Sequence, residues 1–239
     1  MKLSKRLSGV LQLMDNCSLL ADIGCDHGYI CIEAVSKGLC DKALACDTAS
    51  GPLSIAQKNI LAAELNDQIR CVLSDGFTKF TEDMKPECIN ITGMGGRLIV
   101  RILDGGLKNG ALSDVKQLIL GGQSDLDILR HFLIDEVGMH INSELCIFDD
   151  GKYYMLMDTA PGSIEGDSYS DIDYIYGKHI APEGLETYKE YINVQKNKLS
   201  MALSKADSGT SPDNALKLSK LKDKIIMTEK RAEEIAQWA

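Results

Sequence analysis

The sequence predicts an α/β fold in which a mostly parallel seven-stranded sheet with an antiparallel edge is followed by an antiparallel α-helical hairpin. Three observations carry this prediction. Short apolar runs alternate with amphipathic segments through the first two thirds of the chain, as strands and crossover helices do in a parallel sheet. One of those runs, Leu20-Ala21-Asp22-Ile23-Gly24-Cys25-Asp26-His27-Gly28-Tyr29, ends in an acid and a glycine turn before a helix begins. Past residue 184 the apolar residues change to heptad spacing.

The elements follow in order. Ser4 to Met14 reads as a short amphipathic helix with Leu7, Val10, Leu11 and Met14 on one face. Ser18 to Ile23 is a buried first strand, and a helix runs from about Tyr29 to Lys37. Lys42 to Cys46 is a second strand ending at Asp47, and Gly51-Pro52 opens a helix reaching about Leu65. Ile69 to Leu73 is a third strand and Glu87 to Thr92 a fourth, which leads into Gly93-Met94-Gly95-Gly96 and a helix from Arg97 to about Leu107. Val115 to Leu120 is a fifth strand, followed by Gly121-Gly122-Gln123-Ser124-Asp125, with Asp125 the expected N-cap of a helix over Leu126–Val137. Met139 to Phe148 and Tyr153 to Thr159 form a hairpin about Asp149-Asp150-Gly151-Lys152.

Ala160 to Gly177, rich in Gly, Ser, Asp and Pro, reads as a linker. Leu185, Tyr188, Ile192, Gln195, Leu199 and Ala202 then recur at alternating three- and four-residue steps, as do Leu218, Leu221, Ile225, Thr228, Ala232 and Ile235. The turn signal Asp207-Ser208-Gly209-Thr210-Ser211-Pro212 between them makes a coiled-coil hairpin, with dimerisation as the alternative use of the heptads. The expected division is residues 1–160 and 161–239.

At 239 residues and 44% hydrophobic, the chain can bury a full core. No apolar run reaches the roughly 18 residues of a membrane span, and the basic start leads into no signal core, so a cytoplasmic protein is expected. The 8 cysteines form no C-x-x-C pair, so no metal is expected and reduced core cysteines are. A net charge of −9 argues against indiscriminate nucleic-acid binding. Residues 196–231 nevertheless carry nine basic side chains against four acidic ones, either a solvated face or a phosphate-contacting one. No obligate protein partner is evident.

The glycine loop places a nucleotide-like ligand at the carboxyl end of the first strand. Its spacing is D-x-G-x-D-H-G rather than the dinucleotide G-x-G-x-x-G, nearer to the loop of S-adenosylmethionine-dependent methyltransferases. Asp47, about 20 residues on, stands where such folds hold ribose hydroxyls. Asp75-Gly76 after the third strand suits an adenine edge. Three glycines within Gly93–Gly96 suggest close backbone approach to a ligand, or else a plain strand-to-helix turn.

Leu3-Ser4-Lys5-Arg6-Leu7, Ala21 to Tyr29, Gly93-Met94-Gly95-Gly96 and Asp149-Asp150-Gly151-Lys152-Tyr153-Tyr154 occur in that order. Together they resemble the bacterial tRNA (adenine-22 nitrogen-1)-methyltransferase family, TrmK, over roughly residues 1–160, and the helical tail is similar to that family's coiled-coil domain. The resemblance implies a class I, Rossmann-like methyltransferase that uses S-adenosyl-L-methionine and acts on tRNA. By resemblance, Asp22, Gly24 and Gly28 shape the donor site with Asp47, Asp75, Gly76, Gly93 and Met94. Asp26 and His27 are the catalytic candidates, Asp26 receiving the charge or proton of the adenine and His27 placing the base. Gly95, Gly96, Gln123, Lys217, Lys220 and Lys224 are expected on the RNA side. Asp26 as a helix N-cap and His27 as a surface residue remain open readings. The family pattern carries a proline after the fifth strand; Gly121-Gly122 here implies a more flexible loop. A methyltransferase of another substrate and a non-catalytic RNA-binding protein with a relict donor pocket are the competing functions.

Overall fold

The computed structural model describes residues 3–206 and 212–238. Five parallel strands, β1 (Cys17–Ile23), β2 (Cys40–Asp47), β3 (Ile69–Leu73), β4 (Cys88–Met94) and β5 (Gln117–Gly122), join an antiparallel pair, β6 (Met139–Asp149) and β7 (Lys152–Pro161). They form one sheet in the order β3-β2-β1-β4-β5-β7-β6. The chain winds outward from β1 to β3, then returns to place β4 on the other side of β1. That reversal opens a crevice at the carboxyl ends of β1 and β4, where open α/β sheets bind ligands.

Helices cover both faces, as a sheet of near-continuous apolar strands requires. On one face lie α1 (Lys5–Leu13), α2 (Tyr29–Ser36) and α3 (Ser50–Ala62), burying Val10, Leu11, Ile30, Cys31, Ala56 and Ile60. On the other lie α4 (Gly96–Lys108) and α5 (Leu126–His131), burying Ile99, Leu103 and Leu129. Ser4 caps α1 by accepting the amide of Leu7. The β6–β7 turn has Asp150 and Gly151 both at positive φ, the backbone a two-residue hairpin needs.

Several expectations are corrected. β4 continues through Gly93 and Met94, with a register shift against β5 between Thr92 and Met94. Gly121 and Gly122 are not a flexible loop; they are buried in β5 and paired with Leu156 and Met155 of β7. A Cβ on Gly121 would lie 2.8 Å from both the Leu156 and Thr92 side chains, so tight packing explains the glycine. Asp125 occupies the start of α5 but does not cap it. Its φ is +53°, and its carboxylate receives Arg97 and the Ser124 hydroxyl instead. The expected helix over Leu126–Val137 is α-helical to His131 and π-helical over Phe132–Val137.

The stretch expected as a linker contains α6 (Asp171–Tyr176), started by a capping box between Ser170 and Asp173. It is docked by a fully buried ion pair. Arg130 donates to Glu144 at 3.1 and 2.5 Å and to the carbonyls of Tyr174 and Ile175. The Lys178 amide donates to Glu144 Oε1. α7 (Leu185–Ala206) and α8 (Pro212–Ile235) run antiparallel, with Lys196 paired to Glu229 and Tyr188 stacked on Trp238. Their bases pack with Cys146, Met155 and Tyr176, burying Tyr188, Ile192 and Ile235. Further out the heptad residues Leu199, Leu218 and Ile225 are only half-buried. The turn expected at Asp207–Ser211 lies outside the described residues. Among the described residues no helix is long and apolar enough to cross a membrane, and no cluster of metal-ligating side chains is found.

Candidate donor cleft and RNA groove

At the carboxyl ends of β1 to β4 lies a cavity of about 360 Å³ lined by Gly24, Asp47, Asp75, Gly76, Thr92, Gly93 and Met94, among others. Six of the residues singled out in the sequence thus meet in one place. Gly24, at φ +81°, brings the loop over the cavity, and any Cβ there would collide with the Met94 methyl. Its amide and that of Cys25 both donate to the Cys46 carbonyl, tying the loop to β2. Asp47 Oδ2 accepts the Asp26 amide and Oδ1 that of Ala49, so this carboxylate also shapes the loop. Asp75 pairs with Arg101 at 3.2 Å beside Gly76.

A smaller cavity of about 60 Å³ continues beneath the loop, lined by Asp22, Gly24, Asp26, His27, Asn90, Thr92 and Arg6. Asp22 is 3% exposed and accepts the Asn90 amide at 2.6 Å. Burial pushes its pKa up to about 6, while Asn90 and the Arg6 cation pull it down and Asp47 raises it. Asn90 Oδ1 is buried without a hydrogen-bond partner among the described residues. Arg6 donates to Thr92 Oγ1 at 3.3 Å and lies over the Tyr154 ring, 5.6 Å from its centroid. Its amide is held by Asp149 at 3.1 Å. Asp26 is exposed at the cavity mouth, at φ +50°. It is not a helix cap: Gly28 occupies that position on α2, at φ +74° and against Ala56. His27 Nδ1 has no hydrogen-bond partner among the described residues, Asp26 Oδ1 lying 3.6 Å away.

A groove of about 740 Å³ runs between the β5 and β7 ends and the α7–α8 pair. It is lined by Gln123, Lys152, Tyr153, Tyr154, Lys198 and Lys224, and also by Asp125 and Asp127, among others. Gln123 donates to the Gly93 carbonyl, so groove and donor cavity share a wall. Gly96 faces the backbone of Ser124 and Asp125, and Gly95 the Ser124 hydroxyl. Lys217 and Lys220 are exposed on α8, nearer the start of the helix than Lys224, and do not line the groove.

Sequence reasoning passed over Arg6 and Asn90 as site residues. Asn90 carried a signal, since an amide inside the apolar strand Cys88-Ile89-Asn90-Ile91 needs a reason to be buried. Arg6 carried only its place in the quoted N-terminal motif.

Asp22 yields a stability prediction. Its folded pKa is raised, so the native state holds the proton more tightly than the unfolded chain between about pH 4 and 6. Ionising it therefore costs stability as the pH rises through that window, about 2–3 kcal/mol in full. Asp22→Asn should raise the melting temperature by several degrees at pH 7.5 and leave it nearly unchanged at pH 4. Equal gains at both pH values in differential scanning fluorimetry would contradict this origin.

The two cavities hold acceptors and a cation of the kinds a nucleoside carrying an amino-acid tail would meet. Asp47 offers a carboxylate at the end of β2, Asp22 and Asn90 offer acceptors, and Arg6 offers a cation. Residues 20–230 match the family model described as TrmK, tRNA (adenine(22)-N(1))-methyltransferase. A tRNA (adenine(22)-N(1))-methyltransferase of Bacillus subtilis (strain 168) is 31% identical over 182 residues, covering 76% of this chain and 74% of that protein. Sp1610 of Streptococcus pneumoniae, assigned as a tRNA (m1A22) methyltransferase and solved with S-adenosyl-L-methionine, superposes with a TM-score of 0.82 at 31% identity, covering 97% of this chain and 100% of that one. TrmK of M. capricolum, solved with S-adenosyl-homocysteine, gives a TM-score of 0.82 at 26% identity over 98% of this chain and 100% of that one. Fold, cleft and sequence agree: the chain belongs to the TrmK family of tRNA (adenine(22)-N(1))-methyltransferases.

Proposed function

We propose that this protein transfers a methyl group from S-adenosyl-L-methionine to nitrogen 1 of adenine 22 in tRNA, in the cytoplasm. The observation that supports the reading is the pair of neighbouring spaces, a donor cavity bearing Asp47 and Asp75 and a groove bearing lysines and tyrosines, joined by the Gln123–Gly93 hydrogen bond.

The bound donor supplies a methyl group on a positively charged sulfur. Asp22, Asp47 and Asp75 give the cleft a negative field that favours such a cation. Asp47 takes the ribose hydroxyls and the Asp75-Gly76 corner the adenine edge, a reading supported by both lining the larger cavity. Arg6 answers the tail's carboxylate, while Asp22 and the unpartnered Asn90 oxygen answer its ammonium. Gly24, Gly28, Gly93 and Met94 shape the walls. The target adenine enters from the groove beside Gln123, with Gly95 and Gly96 fixing that corner. Nitrogen 1 is paired in a stem, so the nucleotide must be extruded first. Asp26 then receives the positive charge growing on the base and can accept a proton from its amino group. His27 orients the base or Asp26.

Residues 1–160 serve as the donor-binding unit and 161–239 as the helical unit that contacts tRNA through Lys217, Lys220 and Lys224. Tyrosines with lysines around a groove suit a single-stranded segment. The test is transfer of labelled methyl to a tRNA pool, with mapping of the modified base. Label at nitrogen 1 of adenine 22 is expected; donor binding without transfer favours the relict reading, and label elsewhere a different substrate. The triple change of Lys217, Lys220 and Lys224 to Glu should weaken tRNA binding roughly tenfold or more and flatten its salt dependence. An unchanged affinity would remove α8 from the RNA path.

A further inference from the structure

The end of the sheet opposite the donor cleft holds a group of thiols with no part in methyl transfer. Cys17 opens β1 and Cys40 opens β2, and the two are direct register partners on adjacent parallel strands. Cys88 opens β4 on the other side of β1, its thiol bonded to Gln117 at 3.4 Å. Cys17, Cys40 and Cys88 all pack into the same apolar cluster on one face of the sheet. Strands in a sheet lie about 4.8 Å apart, inside the Cα separation a disulfide spans. Both residues stand first in their strands, where a small backbone shift disturbs little pairing.

Exposure separates the three. Cys40 and Cys88 are buried, whereas Cys17 is half-exposed. Lys116 lies close enough for its charge to be felt at Cys17, and it is anchored there by Glu87, which also accepts the Ser18 amide. The Cys17 thiol is drawn well below the ordinary thiol range, chiefly by Cys40 and then Cys88, against burial and the Glu87 charge. Among the described residues the only other half-exposed cysteine is Cys71 on β3, whose thiol burial pushes up and whose register partner is Ala45. A half-exposed thiol backed by a second thiol on the next strand is the arrangement for thiol exchange.

We propose that Cys17 is a thiol-modification site that takes a low-molecular-weight disulfide, with Cys40 as the resolving thiol. The Cys17 thiolate attacks one sulfur of the external disulfide; the sulfur–sulfur bond breaks, and one thiol leaves carrying the proton Cys17 gave up. Cys40 then loses its proton and attacks the Cys17 sulfur, releasing the second thiol. Two protein thiols are oxidised to one disulfide and the external disulfide is reduced to two thiols. β1 is seven residues long, so the site lies about 20 Å from the donor loop and leaves the cleft untouched.

The test uses the native full-length protein. With limiting iodoacetamide at pH 6.5, peptide mass spectrometry should find Cys17 alkylated at least tenfold faster than Cys71. With glutathione disulfide, a Cys17–Cys40 peptide should form and revert with dithiothreitol, and Cys40→Ser should stop at glutathionylated Cys17. Methyl transfer by Cys17→Ser should match the unmodified protein, which also shows that the variant folds. Equal alkylation of Cys17 and Cys71, a Cys17–Cys88 linkage, or no mixed disulfide in Cys40→Ser would overturn the proposal.

Discussion

Asp26→Asn and Asp26→Ala should lower the rate of methyl transfer by about 10²–10⁴-fold, the range for loss of one general acid–base or charge-stabilising group. Donor affinity should stay within about twofold. The backbone of residue 26, not its side chain, is what Asp47 holds, at 3.2 Å. The carboxylate itself is exposed at the mouth of the small cavity and bears no part of the loop's bonding to β2. Asparagine is the cleaner variant, because residue 26 sits at φ +50° and asparagine tolerates that region better than alanine. Single-turnover kinetics with calorimetric titration of the donor separate the two quantities. A parallel fall in both would make Asp26 a loop residue and leave the adenine without its acid.

Arg130→Met should lower stability by about 3–5 kcal/mol, the cost of leaving a buried carboxylate without its partner. Arg130 and Glu144 are both fully buried, so the charge left behind is out of contact with water. For a chain of this length that corresponds to a loss of roughly 10 °C in melting temperature. The double variant with Glu144→Leu should recover much of it, since two apolar side chains leave no charge to solvate, although the Lys178 amide then loses its acceptor. A single variant that melts within about 2 °C of the unmodified protein would show that Glu144 finds another partner. The effect should also reach the tail. Arg130 holds the carbonyls that end α6, and α6 packs under α8 through Tyr176 and Thr228.

The parallel sheet was legible because its signals are local. Ile69 to Leu73 is a strand at the expected limits, and the loop from Asp22 to Gly28 lies where its acid-and-glycine spacing placed it. What escaped was set by contacts distant in sequence. Gly121 and Gly122 look like loop residues by composition, yet they lie in β5 because Thr92 and Leu156 leave no room for a side chain. Composition likewise hid α6, whose Ser170 and Asp173 read as turn formers but build a cap. The Arg130–Glu144 pair spans 14 residues and two different elements, with no period to reveal it. In the site, the acids were found because strand ends are predictable positions. Arg6 was not, because it reaches the cleft only through a helix folded back from the start of the chain.

That last feature has a consequence during synthesis. The Arg6 amide gains its anchor only when Asp149 is there to accept it, and the two are 143 residues apart. At ordinary elongation rates of about 5–20 residues per second, roughly 7–30 seconds pass on the ribosome before that anchor exists. β1 to β4 and the acids they carry emerge well before it. The nascent chain thus carries the acids of the cleft before the Arg6 backbone is anchored, and the turn of the β6–β7 hairpin completes the site.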